Sequence, residues 1–179
     1  MQVEYKVIRS KRKTVSLQIH PDGSVIVRAP LKMPAKDIHA FVEEKAEWIA
    51  KHLPKTAVTP FTQEELRQLA EAAKQDLPQR VQYFAPLICV SYGRITIRSQ
   101  RSRWGSCSSK GNLNFNCLLM LCPEEVRNYV VVHELCHRIE MNHSPKFWAQ
   151  VERVCPDYRV HRKWLKDHGG ELIGRLPHQ

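Results

Sequence analysis

The sequence predicts an α+β chain, with a β-rich N-terminal region ahead of a core of helices and short strands. Three observations lead there. Apolar residues alternate with polar ones at both ends of the first hundred residues, helical spacing fills most of the remainder, and one strongly apolar helix carries His133-Glu134-Leu-Cys-His137.

Taken in order, Val3, Tyr5 and Val7, then Val15, Leu17 and Ile19, then Val25 and Val27 share faces of successive strands. Pro21-Asp22-Gly23 is a turn signal, so 14–20 and 24–29 are expected to form a hairpin. Arg9-Ser-Lys-Arg-Lys13 reads as a solvated basic turn, with a phosphate contact as the lesser alternative. From Pro34 to His52 the spacing is helical, with Ile38, Phe41, Val42, Trp48 and Ile49 on one face. Leu53 to Pro60 holds two prolines and reads as a linker. The expected division is therefore an N-terminal β-hairpin region with a helix, 1–60, and a core, 61–179.

Thr62-Gln-Glu-Glu65 has the form of a capping box. The helix it opens is expected to kink or restart at Pro78 and to end near Phe84. Between Ile88 and Asn116 the pattern returns to β: Ile95 and Ile97 alternate with polar residues, and Lys110-Gly111-Asn112 is a turn. Leu113 and Phe115 then alternate with Asn114 and Asn116, as expected of a sheet edge facing a cleft. Pro123-Glu-Glu125 suits a helix start, and Ser144-Pro145 starts another whose core face is Phe147, Trp148, Val151 and Val154. Cys155-Pro156 breaks that helix, and a last short one is expected from Tyr158 to about His168, stopped by Gly169-Gly170.

The motif H-E-x-x-H has a mechanical reading. Histidines at i and i+4 stand one turn apart on one side of a helix, where both reach a single zinc ion, and the Glu between them can act as general base on a metal-bound water. Tyr129 and Val130 to Val132 lead straight into His133, so the helix is expected to be buried, and burying two imidazoles and a carboxylate is costly without a partner such as a metal. With 9 histidines in 179 residues, a chance match to the motif is expected ~0.03 times per chain. His143 follows ten residues after His133, the offset of the third ligand in the metzincin string H-E-x-x-H-x-x-G-x-x-H. Requiring it lowers the chance expectation to ~0.002. Where that string has Gly this chain has Glu140, so Asn142 is expected to supply the left-handed residue that ends the helix.

Composition narrows the partners. No apolar run approaches the ~20 residues that span a bilayer, and Met-Gln-Val-Glu-Tyr-Lys lacks the apolar core of a secretory signal. Six cysteines without such a signal point to a reducing, cytoplasmic compartment and free thiols. Cys107, Cys117 and Cys122 form no C-x-x-C pair, and packing is favoured over metal binding for them. The formal charge of +10 suits anionic partners, nucleic acid or nucleotide included, and equally a charge that serves solubility alone.

Arg103-Trp-Gly-Ser-Cys-Ser108, the Asn114-x-Asn116 strand, Val131-Val-His-Glu-Leu-Cys-His137 and Asn142-His-Ser-Pro-Lys-Phe-Trp148 occur in the order seen in YgjP-like metal-dependent hydrolases, and the chain resembles that family over nearly its whole length. The family is related to the WLM and SprT-type metallopeptidases. The resemblance implies zinc on His133, His137 and His143, Glu134 as catalytic base, and a zincin-like (minigluzincin-like) core with the active-site helix beside a small antiparallel sheet. It leaves two substrates open, because a nucleotide (UTP) pyrophosphatase activity has been assigned within a family mostly described as peptidases. For a peptidase, Tyr158 and His161 are candidates to steady the oxyanion, and Leu113 to Asn116 to hold an extended peptide. For a pyrophosphatase, Arg98, Arg101, Arg103 and Lys110 would neutralise phosphates. A nucleic-acid-associated protein with a structural metal is the third reading, and Glu134 counts against it.

Overall fold

The computed structural model describes residues 4–19, 23–53 and 59–177. The chain forms two compact units, Met1–Pro60 and Phe61–Gln179.

The first unit has three strands, β1 (Tyr5–Ser10), β2 (Ser16–Ile19) and β3 (Val25–Pro30), in the order β1-β3-β2. The expected hairpin is present as antiparallel β2 and β3, with Leu17 opposite Val27. Its turn residues Pro21 and Asp22, like Val3, lie outside the described residues, and Gly23 takes the positive φ of 83° that favours glycine. β1 runs parallel to β3. Arg9, expected in a solvated turn, instead sits at the end of β1 and donates to the carbonyls of Pro30, Leu31 and Met33. The helix expected over 34–52 is two helices, α1 (Ala35–Glu44) and α2 (Ala46–His52), separated at Lys45. Val25, Val27 and Ala29 pack against Ile38, Val42 and Ile49, which gives this unit its own small core.

The second unit begins with α3 (Gln63–Ile88). The capping box is realised in full: Glu65 N–H donates to Thr62 Oγ1 at 3.2 Å, and Thr62 N–H donates to Glu65 Oε2 at 2.7 Å. The helix neither restarts at Pro78 nor ends near Phe84; it runs through Pro78 and Pro86 to Ile88 and closes on a left-handed Cys89 at φ 63°. Its buried face, Ala73, Leu77, Val81, Ala85 and Ile88, continues unbroken past the prolines, so packing outweighs the local penalty.

Strands β4 (Ile95–Arg98), β5 (Gly105–Cys107) and β6 (Leu113–Asn116) form a mixed sheet in the order β4-β6-β5, with β6 parallel to β4 and antiparallel to β5. The strand expected at the edge is therefore the central one, and the sheet is not purely antiparallel. The asparagines that looked solvated are hydrogen-bonded inside: Asn114 Nδ2 donates to Ser106 Oγ at 3.2 Å, and Asn116 is fully buried.

After a 3-10 turn at Cys117–Leu121 come α4 (Glu124–Cys136), α5 (Pro145–Val154) and α6 (Tyr158–Gly174). Ser144 caps α5 through Phe147 N–H, as its sequence predicts. α6 passes through both glycines at which it was expected to stop. Gly169 is there for space: a Cβ on it would lie 2.9 Å from Trp104 Cζ2. α4 packs on α3, and its Val126, Tyr129, Val130 and Leu135 belong to the same core as the buried face of α3. None of the described helices is long and apolar enough to cross a membrane.

A charged clamp ties α3 to α4. Arg80 donates to both carboxylate oxygens of Asp76 (2.6 and 2.8 Å), to Glu124 (3.1 Å) and to Asn128 (2.5 Å), and Arg127 reaches Asp76 at 3.3 Å. The hydrogen bond from Arg80 is the main reason the Asp76 carboxyl titrates below its ordinary range. Asp76→Asn is expected to cost about 1–2 kcal/mol at neutral pH, a partly buried pair being worth less than a buried one. A depressed carboxyl stabilises above its unfolded pKa of about 4 and ceases to do so as pH falls through the folded value. Urea denaturation should therefore separate wild type from Asp76→Asn at pH 7 and bring the two together in strong acid.

Candidate metal centre

α4 is apolar on most of its surface, and Val126, Tyr129 to Val132, Leu135 and Cys136 are all buried. That burial carries His133 and Glu134 inward with it. The helix stops at Cys136, so His137 is its C-cap, and tight turns from Arg138 N–H to Leu135 O and from Ile139 and Glu140 N–H to Cys136 O follow. This early stop replaces the left-handed residue expected at Asn142. Among the described residues only Cys89 combines a side chain with positive φ.

His133, His137 and His143 converge, with ring centroids 4.8 to 4.9 Å apart and one donor nitrogen from each within 4.8 Å of the others. His133 Nε2 and His143 Nε2 are 2.9 Å apart. His137 Nδ1 lies 3.1 Å from the Glu140 carbonyl; a proton there leaves Nε2 with a lone pair for the cluster. Glu140, at the position of the missing glycine, thus orients a ring through its backbone. Phe147 packs against all three imidazoles at 4.6 to 4.9 Å between centroids.

Electrostatics fit a cation. Burial first, then repulsion from His137 and His143, pushes His133 down to about 3 and keeps it neutral. His137 is lowered as well, chiefly by burial. Three imidazole nitrogens facing one point at the edge of a cavity fit the donor set of a divalent metal centre with an open position. Glu134 is 5 % exposed, and burial pushes its carboxyl up to about 8, partly offset by the Arg103 charge.

The cavity at the centre measures about 380 Å³ and brings Glu134 and the three histidines together with Arg103, Met141 and strand β5. Gly105 permits this. A Cβ on it would lie 2.6 Å from Glu134 Oε1, so β5 can lie against the carboxylate only with glycine there.

Other candidates are placed differently. Arg103 reaches the cavity, but the Arg101 guanidinium donates to the carbonyls of Leu176 and Pro177, at 2.8 and 3.2 Å. Lys110 is exposed on the turn before β6 and does not line the cavity, and Arg98 lies on β4. Asn114 supports β5 from the central strand. Tyr158 is buried, stacked on Trp148 and Tyr129, and His161 lies beside Tyr129; neither lines the cavity. Cys107 lines it without joining the histidine cluster, while Cys117 and Cys122 are buried in the core.

Asn116, expected in an edge that holds peptide, instead braces a loop from inside the sheet. Its Nδ2 donates to Gln100 O (2.7 Å) and Arg103 O (3.1 Å), and its Oδ1 accepts from Leu118 N–H (3.1 Å). One buried amide thus fixes the loop that carries Arg103. The alternation of Asn114 and Asn116 with Leu113 and Phe115 marked the strand without showing which partners the amides find.

Three comparisons bear on this geometry. The metallopeptidase domain of the YgjP-like family matches residues 13–71 and 59–168. No curated protein matches. Among solved structures, the metallopeptidase zymogen abylysin of Pyrococcus abyssi is similar at 20 % identity and a TM-score of 0.47, over 51 % of this chain and 93 % of its own. The zymogen jannalysin of Methanocaldococcus jannaschii is similar at 22 % identity and a TM-score of 0.43, over 51 % of this chain and 96 % of its own. The family match spans most of the sequence, including the whole histidine cluster and its carboxylate, and the chain belongs to the YgjP-like metallopeptidase-domain family of H-E-x-x-H metallohydrolases.

Proposed function

We propose that the protein is a zinc-dependent peptidase in which His133, His137 and His143 hold the metal and Glu134 is the general base. The observation that carries this reading is the convergence of three imidazoles and one carboxyl group in a cavity bordered by the outer edge of β5. Zinc bound to such ligands lowers the pKa of water to about 7 and polarises a carbonyl. Glu134 takes the proton of the attacking water on a carboxylate oxygen and returns it to the leaving nitrogen. Its burial keeps the proton within the site, and Gly105 leaves the space it occupies. The six free thiols suit a cytoplasmic setting.

β5 has the geometry to hold an extended peptide. Asn116 N–H donates to Trp104 O, and Ser108 N–H donates to Asn112 O. With those pairs bonded, the alternation of an antiparallel ladder makes Ser106/Asn114 a bonded pair and directs the backbone groups of Gly105 and Cys107 to the free edge. A peptide added there gains main-chain hydrogen bonds regardless of its charge.

The nucleotide reading rests on Arg103, since Arg101 and Lys110 stand away from the cavity. Cys107→Pro removes one outward N–H without touching the ladder, whereas a proline at Asn114 would break the central strand. If the substrate is a peptide, Cys107→Pro lowers kcat/KM for an unfolded protein about ten-fold or more, and Arg103→Ala acts less. UTP hydrolysis abolished by Arg103→Ala, with no cleavage of any unfolded protein, would replace the peptidase with a pyrophosphatase.

A further inference from the structure

A second cavity, of about 450 Å³, lies between α3 and the segment Ile97–Gln100. It shares no lining residue with the cavity around the histidines. Its apolar wall is Leu66 and Ala70, one turn apart on α3, together with Ile97 and Cys117. Its polar wall is Arg98, Ser99 and Gln100, and no carboxylate lines it.

The polar wall is short of acceptors. Arg98 makes no ion pair among the described residues; its Nε lies 3.4 Å from Asn114 Oδ1. Gln100 Nε2 is withdrawn from solvent without a hydrogen-bond partner, although an amide nitrogen in that position ordinarily has one. A guanidinium, a hydroxyl and an amide in one cavity with the apolar side chains of Leu66, Ala70 and Ile97 make a receptor for an anion with a hydrophobic body.

We infer that this cavity is a second binding site, taking a carboxylate carried on a compact apolar body. The carboxylate sits on the Arg98 guanidinium, and the apolar body lies against Leu66, Ala70 and Ile97. Asn116 Nδ2 holds the carbonyls of both Gln100 and Arg103, so an occupant touches the same loop that reaches the histidine cavity. Binding itself does not depend on the peptidase reading.

Titration calorimetry with N-acetyl-leucine and its uncharged analogue N-acetyl-leucinamide tests this directly. The acid is expected to bind at millimolar concentration and the amide at least about ten-fold more weakly, as for a hydrogen bond to a charged group. Arg98→Gln, an exposed change, should erase that preference, and Ala70→Phe should block both ligands by filling the cavity. Thermal unfolding of each variant establishes that it is folded, and Arg98→Gln alone decides if Ala70→Phe is not. Equal binding of acid and amide, no binding of the acid, or an acid preference that survives Arg98→Gln would overturn the assignment.

Discussion

Glu134→Gln is expected to keep its metal and to lose about 10²–10⁴-fold in turnover, the usual cost of removing a general base. Glutamine has nearly the same shape, so the contact with Gly105 survives, but its amide cannot accept and return a proton. The carboxylate is not among the residues that converge as ligands, so metal content measured on the purified variant should match the wild type. Normal turnover would remove Glu134 from the mechanism. Loss of metal together with turnover would make it a ligand or a support for one.

The second large effect concerns the metal itself. Wild-type protein purified with zinc should hold about one ion per chain, and His133→Ala should hold essentially none. His133 lies within α4 while His137 is its C-cap, so its loss leaves one candidate ligand at the helix end and one in the loop. His143→Ala should also weaken binding strongly, whereas Glu140→Ala should not, because Glu140 supports His137 through its backbone carbonyl. Elemental analysis reads both results. Equal metal content in His143→Ala and Glu140→Ala would place the third ligand elsewhere, and wild-type protein without zinc would dismiss the centre altogether. Melting temperature gives a parallel check, since a ligand bound more tightly by the folded state than by the unfolded chain raises stability as its concentration rises.

What the sequence made legible was local. The capping box at Thr62, the serine cap at Ser144, the helix that carries His133, and the alternation of the strands depend on neighbours a few residues away, and each is found where its spacing indicates. Misplaced features depend on distant partners. The asparagines of β6 resembled a wet edge because nothing nearby shows that Ser106, Gln100 and Arg103 satisfy them. Pro78 and Gly169 looked like breakers because the packing that carries α3 and α6 past them comes from elsewhere in the fold. The same distinction divides the site. Three histidines within eleven residues could be read together, but only the fold separates Arg103, which reaches the cavity, from Arg101, which holds the chain near Leu176.

α4 ends on His137, so the histidine cluster is confined to a helix end and the short loop after it. This has a consequence for the order of assembly. Closing the loop from His137 to His143 carries a small entropic cost, while bringing Gly105 against Glu134 requires the chain to return from about thirty residues away. The histidines can therefore gather before the cleft exists. An incompletely folded chain could then carry its full complement of metal and be inert, so metal content and activity would report on different stages of folding.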